Sequence, residues 1–406
     1  MSLLLNSRIL IPILAALSML GALSIDAYLP ALPAIASAFS VTAAAAQQTL
    51  AIYLFAFAFM TLFYGTLSDS FGRRSVILWA MGAYVLSSLG AGLATNLSTL
   101  LLFRFLQGLT AGAGNVIGRA VVGDLYQGSE AQRVIASISI VFGLAPAIAP
   151  ILGGWLQSAL GWRSIFGFIA FFSFILMLCS LRWLPETLAV EKRHPFHFKT
   201  LLLSYGKVIS HRSFMFQALG IALSFTGVML YVGSAPAFVL DILHLPVTHF
   251  GWLFIPLIGG MTIGSWVSGK WSHRFSGEKI IRIGYITMGL SALSNVFYTY
   301  FMQITLPWAV LPLMIYSFGM SIVMPTMTVQ CLELFPERRG LAASLQTFIF
   351  MAVFAIASGV ICPLLFGSAF KLAMGTAVGC ALSLVSWSFG SQAAQEEMEA
   401  GATEKE

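Results

Sequence analysis

Of the 15 acidic residues in this 406-residue sequence, only Asp26 falls inside a long apolar stretch. The others lie between such stretches, at their rims, or in the C-terminal run holding Glu396, Glu397, Glu399, Glu404 and Glu406. A carboxylate set in hydrocarbon costs several kcal/mol unless it is paired, wetted or protonated. Two basic residues share its setting, Arg104 and Arg119, both within one later apolar stretch. Asp26 and Arg104 are placed to interact directly or through water. Two roles are open to them: a static ion pair that fixes packing, or reversible proton binding at Asp26 tuned by Arg104. Ionisable residues inside membrane segments point first to function, which favours the second.

The elements that position these charges follow from composition. The chain is 58% hydrophobic and 9% charged, with a mean hydropathy of +0.89. Soluble domains carry about 25% charged residues, so a soluble enzyme, a disordered chain and a secreted disulfide scaffold are excluded. A crossing helix needs about 20 apolar residues. Twelve stretches qualify, near 9–31, 44–66, 75–95, 99–122, 134–158, 164–184, 214–239, 250–268, 280–301, 306–329, 341–362 and 368–389. With both termini in the cytoplasm, the inner segments hold 17 of the 21 Lys and Arg residues, as the positive-inside rule requires. The formal charge of +6 therefore reads as topology and a lipid-facing rim, not as a nucleic-acid surface. Arg8, the apolar run and Ala34-Ile35-Ala36 imitate a signal peptide. Pro12 and Asp26 interrupt that run, which favours a retained first helix.

The stretch 185–213 is the longest non-apolar one, with Lys192, Arg193, His194, His197, Lys199, Lys207, His211 and Arg212. It divides an N-terminal six-helix bundle (1–184) from a C-terminal one (214–390), followed by an acidic tail (391–406). It reads as a basic linker on the inner membrane surface. Gly65-Thr66-Leu67-Ser68-Asp69-Ser70-Phe71-Gly72 aligns with Gly269-Lys270-Trp271-Ser272-His273-Arg274-Phe275-Ser276, each after the second span of its half. Repeated halves are a transporter architecture. The expected fold is an all-α membrane protein of twelve transmembrane helices in two pseudo-symmetric bundles.

On span four, Arg104, Gly108, Ala111, Asn115 and Arg119 recur at spacings of three or four and share one stripe. That stripe is expected to line a central cavity, with Arg119 near its inner end. Tyr28, Tyr53, Gln107, Gln217 and Tyr231 offer aromatic faces or hydrogen bonds to a cargo, although each also suits simple packing. In the loop 65–74, Gly65 and Gly72 permit tight turns, Asp69 is placed to meet a helix N-terminus, and Arg73 and Arg74 face lipid or Asp124. In span five, Pro146 and Pro150 can bend the helix, while Gly153 and Gly154 allow close approach. Cys179, Cys331, Cys362 and Cys380 read as packing, with no metal site. No nucleotide-binding loop is present.

Several of these stretches resemble a known family. Gly65–Arg74 resembles the signature loop of the major facilitator superfamily. Ile25-Asp26-Ala27-Tyr28-Leu29-Pro30-Ala31-Leu32-Pro33 resembles the first helix of its bicyclomycin/chloramphenicol-resistance drug-efflux subfamily. Arg104-Phe105-Leu106-Gln107-Gly108, Ala145–Gly154 and Leu184-Pro185-Glu186-Thr187-Leu188 match further. Ser70 stands where that loop has a basic residue, and Ala149 where span five has Gly. The resemblance implies a twelve-helix exporter exchanging protons for small amphipathic compounds. It also implies a cytoplasmic latch of Asp69, Arg73 and Asp124, and a sealing role for Pro146, Pro150, Gly153 and Gly154.

The expectation is thus a non-enzymatic, proton-coupled antiporter in the inner membrane, a monomer, driven by the proton gradient and using no cofactor. Its partners are a small amphipathic substrate, protons and lipid. Export of a siderophore or other metabolite by the same fold stays open. So does a transport-inactive sensor or scaffold, against which Asp26 and Arg104 weigh.

Overall fold

The computed structural model describes residues 2–193 and 195–403; Met1, His194 and the tail residues Glu404, Lys405 and Glu406 lie outside the described residues. All regular structure among the described residues is helical. Among the described residues, eleven helices are long and apolar enough to cross a membrane, and a bent pair brings the number to twelve. Their outward faces carry large apolar residues such as Trp79, Leu86, Leu93 and Trp155, all exposed, as lipid contact requires.

Chain contacts divide the molecule into two compact units, Met1–Phe196 with Leu245–Phe254, and His197–His244 with Ile255–Glu406. The first break falls inside the basic linker. The first unit contains α1 (Ser2–Asp26), α2 (Leu32–Ala38), α3 (Ala43–Phe71), α4 (Arg73–Gly92), α5 (Leu97–Ala111), α6 (Ala113–Leu125), α7 (Gly128–Leu160) and α8 (Arg163–Trp183). Thr42 caps α3 by accepting from the Ala45 N–H at 3.2 Å, and Asn96 caps α5 through the Thr99 N–H at 2.9 Å, each satisfying a donor the helix cannot.

Span one is not continuous. The regular helix α1 stops at Asp26, and a short 3-10 turn, Leu29–Ala31, leads into α2. Pro30 explains the stop. It has no N–H to give to the carbonyl four residues back, which belongs to Asp26. Span four also divides, at Gly112 between α5 and α6. By contrast α7 runs unbroken through Pro146 and Pro150.

The second unit begins with the linker helix α9 (Phe198–Ile209). Span seven follows as α10 (Arg212–Ser224) and α11 (Thr226–Gly233), bent by 43°. At the bend the Tyr316 hydroxyl donates to the Ser224 carbonyl at 2.9 Å, the kind of side-chain insertion that kinks helices. Then come α12 (Gly251–Trp271), α13 (Gly277–Phe301), α14 (Leu311–Glu333), α15 (Arg339–Ile356), α16 (Cys362–Leu365) and α17 (Ala369–Thr403). Span ten starts at Leu311, five residues later than the apolar run at 306, with Pro312 in the first turn, where no backbone bond is lost. The acidic tail up to Thr403 continues α17. All four cysteines are free thiols, and Cys331, Cys362 and Cys380 are buried.

The structure corrects the expectation for Gly65. It lies within α3, and a side chain there would meet nothing within 4 Å. The tight turn belongs to Gly72 alone. At φ +94° it ends α3 and precedes α4, and a Cβ there would strike the Glu186 carboxylate and the Arg193 guanidinium.

Candidate functional site

Arg104 is wholly buried in the first unit. Its guanidinium carbon sits 4.4 Å from the Tyr28 ring centroid and 4.1 Å from that of Tyr53. Nε donates to the Thr49 carbonyl at 3.3 Å, and Nη1 to the Gln107 Oε1 at 2.6 Å. Nη2 has no hydrogen-bond partner among the described residues. The residues come from four places: Tyr28 after the break in α1, Thr49 and Tyr53 from α3, Arg104 and Gln107 from α5, and the hydroxyl-bearing face of α4.

That α4 face extends the network. Gln107 Nε2 donates to Ser88 at 2.8 Å, and Tyr84 is hydrogen-bonded to Ser24 of α1. Tyr28 and Thr49 share a 2.6 Å bond, and the Tyr53 hydroxyl donates to the Gly21 carbonyl at 3.2 Å. A guanidinium held this way gets hydrogen bonds and two cation–π contacts, each worth about 0.5–2 kcal/mol, but no counter-charge.

Asp26 is 5% exposed and enters no ion pair or hydrogen bond among the described residues. The direct Asp26–Arg104 pair is therefore not formed in this conformation. Opposite charges occupy one unit, and each is without an ionic partner. Tyr28, Tyr53 and Gln107, read as cargo contacts, have their polar or ring faces turned to the buried arginine. Asn115 is half-buried and Arg119 exposed. Gln217 and Tyr231 belong to the second unit. There Tyr231 accepts from Asn295 Nδ2 at 2.9 Å, and Gln217 donates to Ser213 at 3.3 Å. Asn295 Oδ1 and Gln217 Oε1 are left without partners among the described residues.

Gly153 of α7 lies against the Ala27 carbonyl, and Gly154 against the Val247 carbonyl. Neither contact has room for a Cβ. The glycine pair thus holds α7 to the backbone directly after Asp26 and to Leu245–Phe254. Gly153→Ala is expected to cost about 1–3 kcal/mol through overpacking, because a backbone carbonyl cannot rotate away. Thermal unfolding of the purified variant checks this; an unshifted transition would contradict it.

A second cluster centres on Arg73. Its guanidinium meets Asp69 at 2.5 Å, Asp124 at 3.3 Å and the Ser68 hydroxyl at 2.6 Å. The Arg73 backbone N–H donates to Glu186 Oε1 at 2.9 Å. Glu186, not Asp69, is therefore the carboxylate at the N-terminus of α4, where negative charge is favoured. Arg193 closes on the other Glu186 oxygen at 3.6 Å, and Thr187 donates to Asp124 at 2.6 Å. Arg74 donates to the Leu181 carbonyl at 2.6 Å and so satisfies an end of α8. Arg73→Ala leaves Asp69 and Asp124 without their shared cation and should cost about 1–3 kcal/mol. Arg73→Lys should recover part of that, since one ammonium cannot reproduce the fork; equal melting of all three proteins would refute it.

Sequence reasoning missed Ser24, Thr49, Tyr84 and Ser88 in the buried network, and Glu186, Thr187 and Arg193 in the cluster. Hydroxyl residues within apolar spans were the available signal for the first group. The Leu184–Leu188 match was the signal for the second.

Residues 14–359 match the model of the Major Facilitator Superfamily. The chain is 35% identical over 279 residues to "Uncharacterized MFS-type transporter YdgK" of Bacillus subtilis, covering 68% of this chain and 69% of that protein. It is 28% identical over 288 residues to "Bicyclomycin resistance protein homolog" of Haemophilus influenzae, covering 71% and 72%. A bacterial homologue of the human lysosomal transporter Spinster has a similar fold, with a TM-score of 0.71, 15% identity and coverage of 96% and 97%. A family model matched across most of the chain, with the twelve-span helical fold, makes this a multi-pass membrane protein of the Major Facilitator Superfamily.

Proposed function

We propose that this protein exports small amphipathic compounds across the inner membrane in exchange for protons, by alternating access. The observation that carries the reading is Asp26. It is the one acid inside the apolar stretches of the sequence, nearly buried, without an ionic partner among the described residues, and set at a helix break between Pro30 and the Gly153 contact. A charge so placed carries an uncompensated desolvation cost, and binding a proton removes it. Arg104 is a buried cation with no carboxylate partner among the described residues, available to act on Asp26 when the two approach. The name of one relative, "Bicyclomycin resistance protein homolog", supports small drug-like cargo.

In this reading Asp69, Arg73 and Asp124, joined by Glu186 and Arg193, form the latch that weights one side of the cycle. Gly153 and Gly154 keep the break near Asp26 tightly covered. In the first unit, Asn115 and Arg119 are the remaining candidate cargo contacts. The protein acts as a monomer with both termini inside, and the proton gradient is its only energy source.

Proteoliposomes with an acidic lumen and a trapped pH dye test the proposal. Addition of cationic, neutral and zwitterionic compounds should raise the lumenal pH for those that are carried. Cargo that equilibrates with no proton movement would reduce the protein to an uncoupled carrier and end this reading.

A further inference from the structure

The linker helix α9 presents a surface that neither cargo nor proton binding uses. Leu201, Tyr205 and Val208 are buried and packed toward α10 and α15. This contact ties the helix to the ends of two spans. A second, unburied face remains. Leu202 and Ile209 are each 49% exposed, and Leu203 is 61% exposed. At 3.6 residues per turn, Leu202 and Ile209 fall on one line, seven residues apart. The exposed Lys199 and Lys207 stand at i and i+8 with Leu203 between them at i+4, a second line beside the first.

The surroundings are cationic. No acidic residue occurs from Lys192 to Leu240. Arg212, at the start of α10, and Arg338 and Arg339, at the start of α15, are exposed; Glu333 and Glu337 are the acids near the latter pair, also exposed. Apolar side chains flanked by lysines on a helix that does not span are suited to the headgroup boundary, where lysine stems lie along the apolar phase and ammonium groups reach the phosphates. The cytoplasmic leaflet is the negatively charged one. The distribution of basic residues puts the linker on that side.

We propose that α9 docks on the anionic lipid of the cytoplasmic leaflet, with Leu202 and Ile209 entering the acyl boundary and Lys199 and Lys207 pairing with lipid phosphates. Anionic lipid is then a bound partner of this transporter, held at the element that joins its halves. The inference does not depend on what cargo is carried or whether protons drive it.

Full-length protein is reconstituted in vesicles of phosphatidylcholine alone and of equal parts phosphatidylcholine and phosphatidylglycerol. A nitroxide is placed at Leu202→Cys, Ile209→Cys or, as the solvent control, Thr200→Cys, with the native cysteines replaced. Labels at 202 and 209 should collide with oxygen dissolved in the acyl phase, and the label at 200 with a water-soluble nickel complex. Spin-labelled phosphatidylglycerol should be retained by the unlabelled protein in preference to phosphatidylcholine. Lys199→Gln and Lys207→Gln should each reduce that preference by roughly fivefold, and Lys→Arg at both positions should keep it. A label at 202 reached mainly by the nickel complex would overturn the proposal, as would equal retention of the two lipids. Shielding from both reagents, with cross-linking between 202 positions of two molecules, would instead make the face a contact between copies and likewise overturn it.

Discussion

Asp26→Asn is expected to abolish uphill export while leaving the protein in the membrane at its normal level. The amide keeps the shape of the protonated acid and cannot release a proton. In the proposed cycle, exchange of cargo for cargo down a gradient should therefore persist, because changing sides needs no proton release. The loss is large for an energetic reason. One charge crossing 100 mV supplies about 2.3 kcal/mol, which sustains a concentration ratio of roughly 50. Without that step the ratio falls to one. Stability should hold or rise, because Asp26 has no ionic or hydrogen-bonding partner to lose among the described residues and the variant removes a nearly buried charge. Everted vesicles separate the two activities. Undiminished accumulation against a gradient by the variant would remove Asp26 from the coupling step. Loss of exchange together with accumulation would mark it as a structural residue.

Much of the fold was legible because lipid leaves a simple imprint on sequence. Long apolar runs and the placement of Arg and Lys suffice for twelve spans. Breaks within spans were harder. Pro30 ends α1 at Asp26, yet Pro146 and Pro150 lie inside an unbroken α7; a proline states which donor is missing, not whether neighbours compensate. The bend at Phe225 has no proline, and the hydroxyl that meets the Ser224 carbonyl there comes from Tyr316 on a distant helix. Gly65 and Gly72 look alike in the signature loop, but only Gly72 adopts positive φ. The difference arises from where α3 ends.

Site residues divided in the same way. Asp26 and Arg104 stood out because charges are rare in spans. Their relation did not, since it depends on the rotation of α1 against α5. The partners of Arg104 proved to be aromatic rings, a carbonyl and an amide. Ser24, Thr49, Tyr84 and Ser88 carry no charge and therefore resemble ordinary helix-packing hydroxyls. Glu186 was visible as part of a motif, but only the folded linker brings it to the start of α4, across 113 residues of sequence.

Arg104 tests whether the buried cation serves the fold or the cycle. Arg104→Met removes the charge at similar length. It leaves the Gln107 Oε1 and the Thr49 carbonyl without their donor, at about 1–3 kcal/mol, and forfeits two cation–π contacts. It also removes a guanidinium that is wholly buried with one nitrogen unpartnered, a desolvation cost of several kcal/mol. These effects oppose each other, so the unfolding transition should move little. Export should nonetheless be lost, because Asp26 would have no cation to meet. Arg104→Lys keeps the charge but cannot reach Thr49 and Gln107 together; partial export with a displaced pH profile is the expected result. Normal uphill export by the Met variant would release Arg104 from the mechanism. If Met unfolded the protein and Lys restored stability without restoring any export, the cation would be a packing device, and the charge pair proposed for coupling would reduce to Asp26 alone.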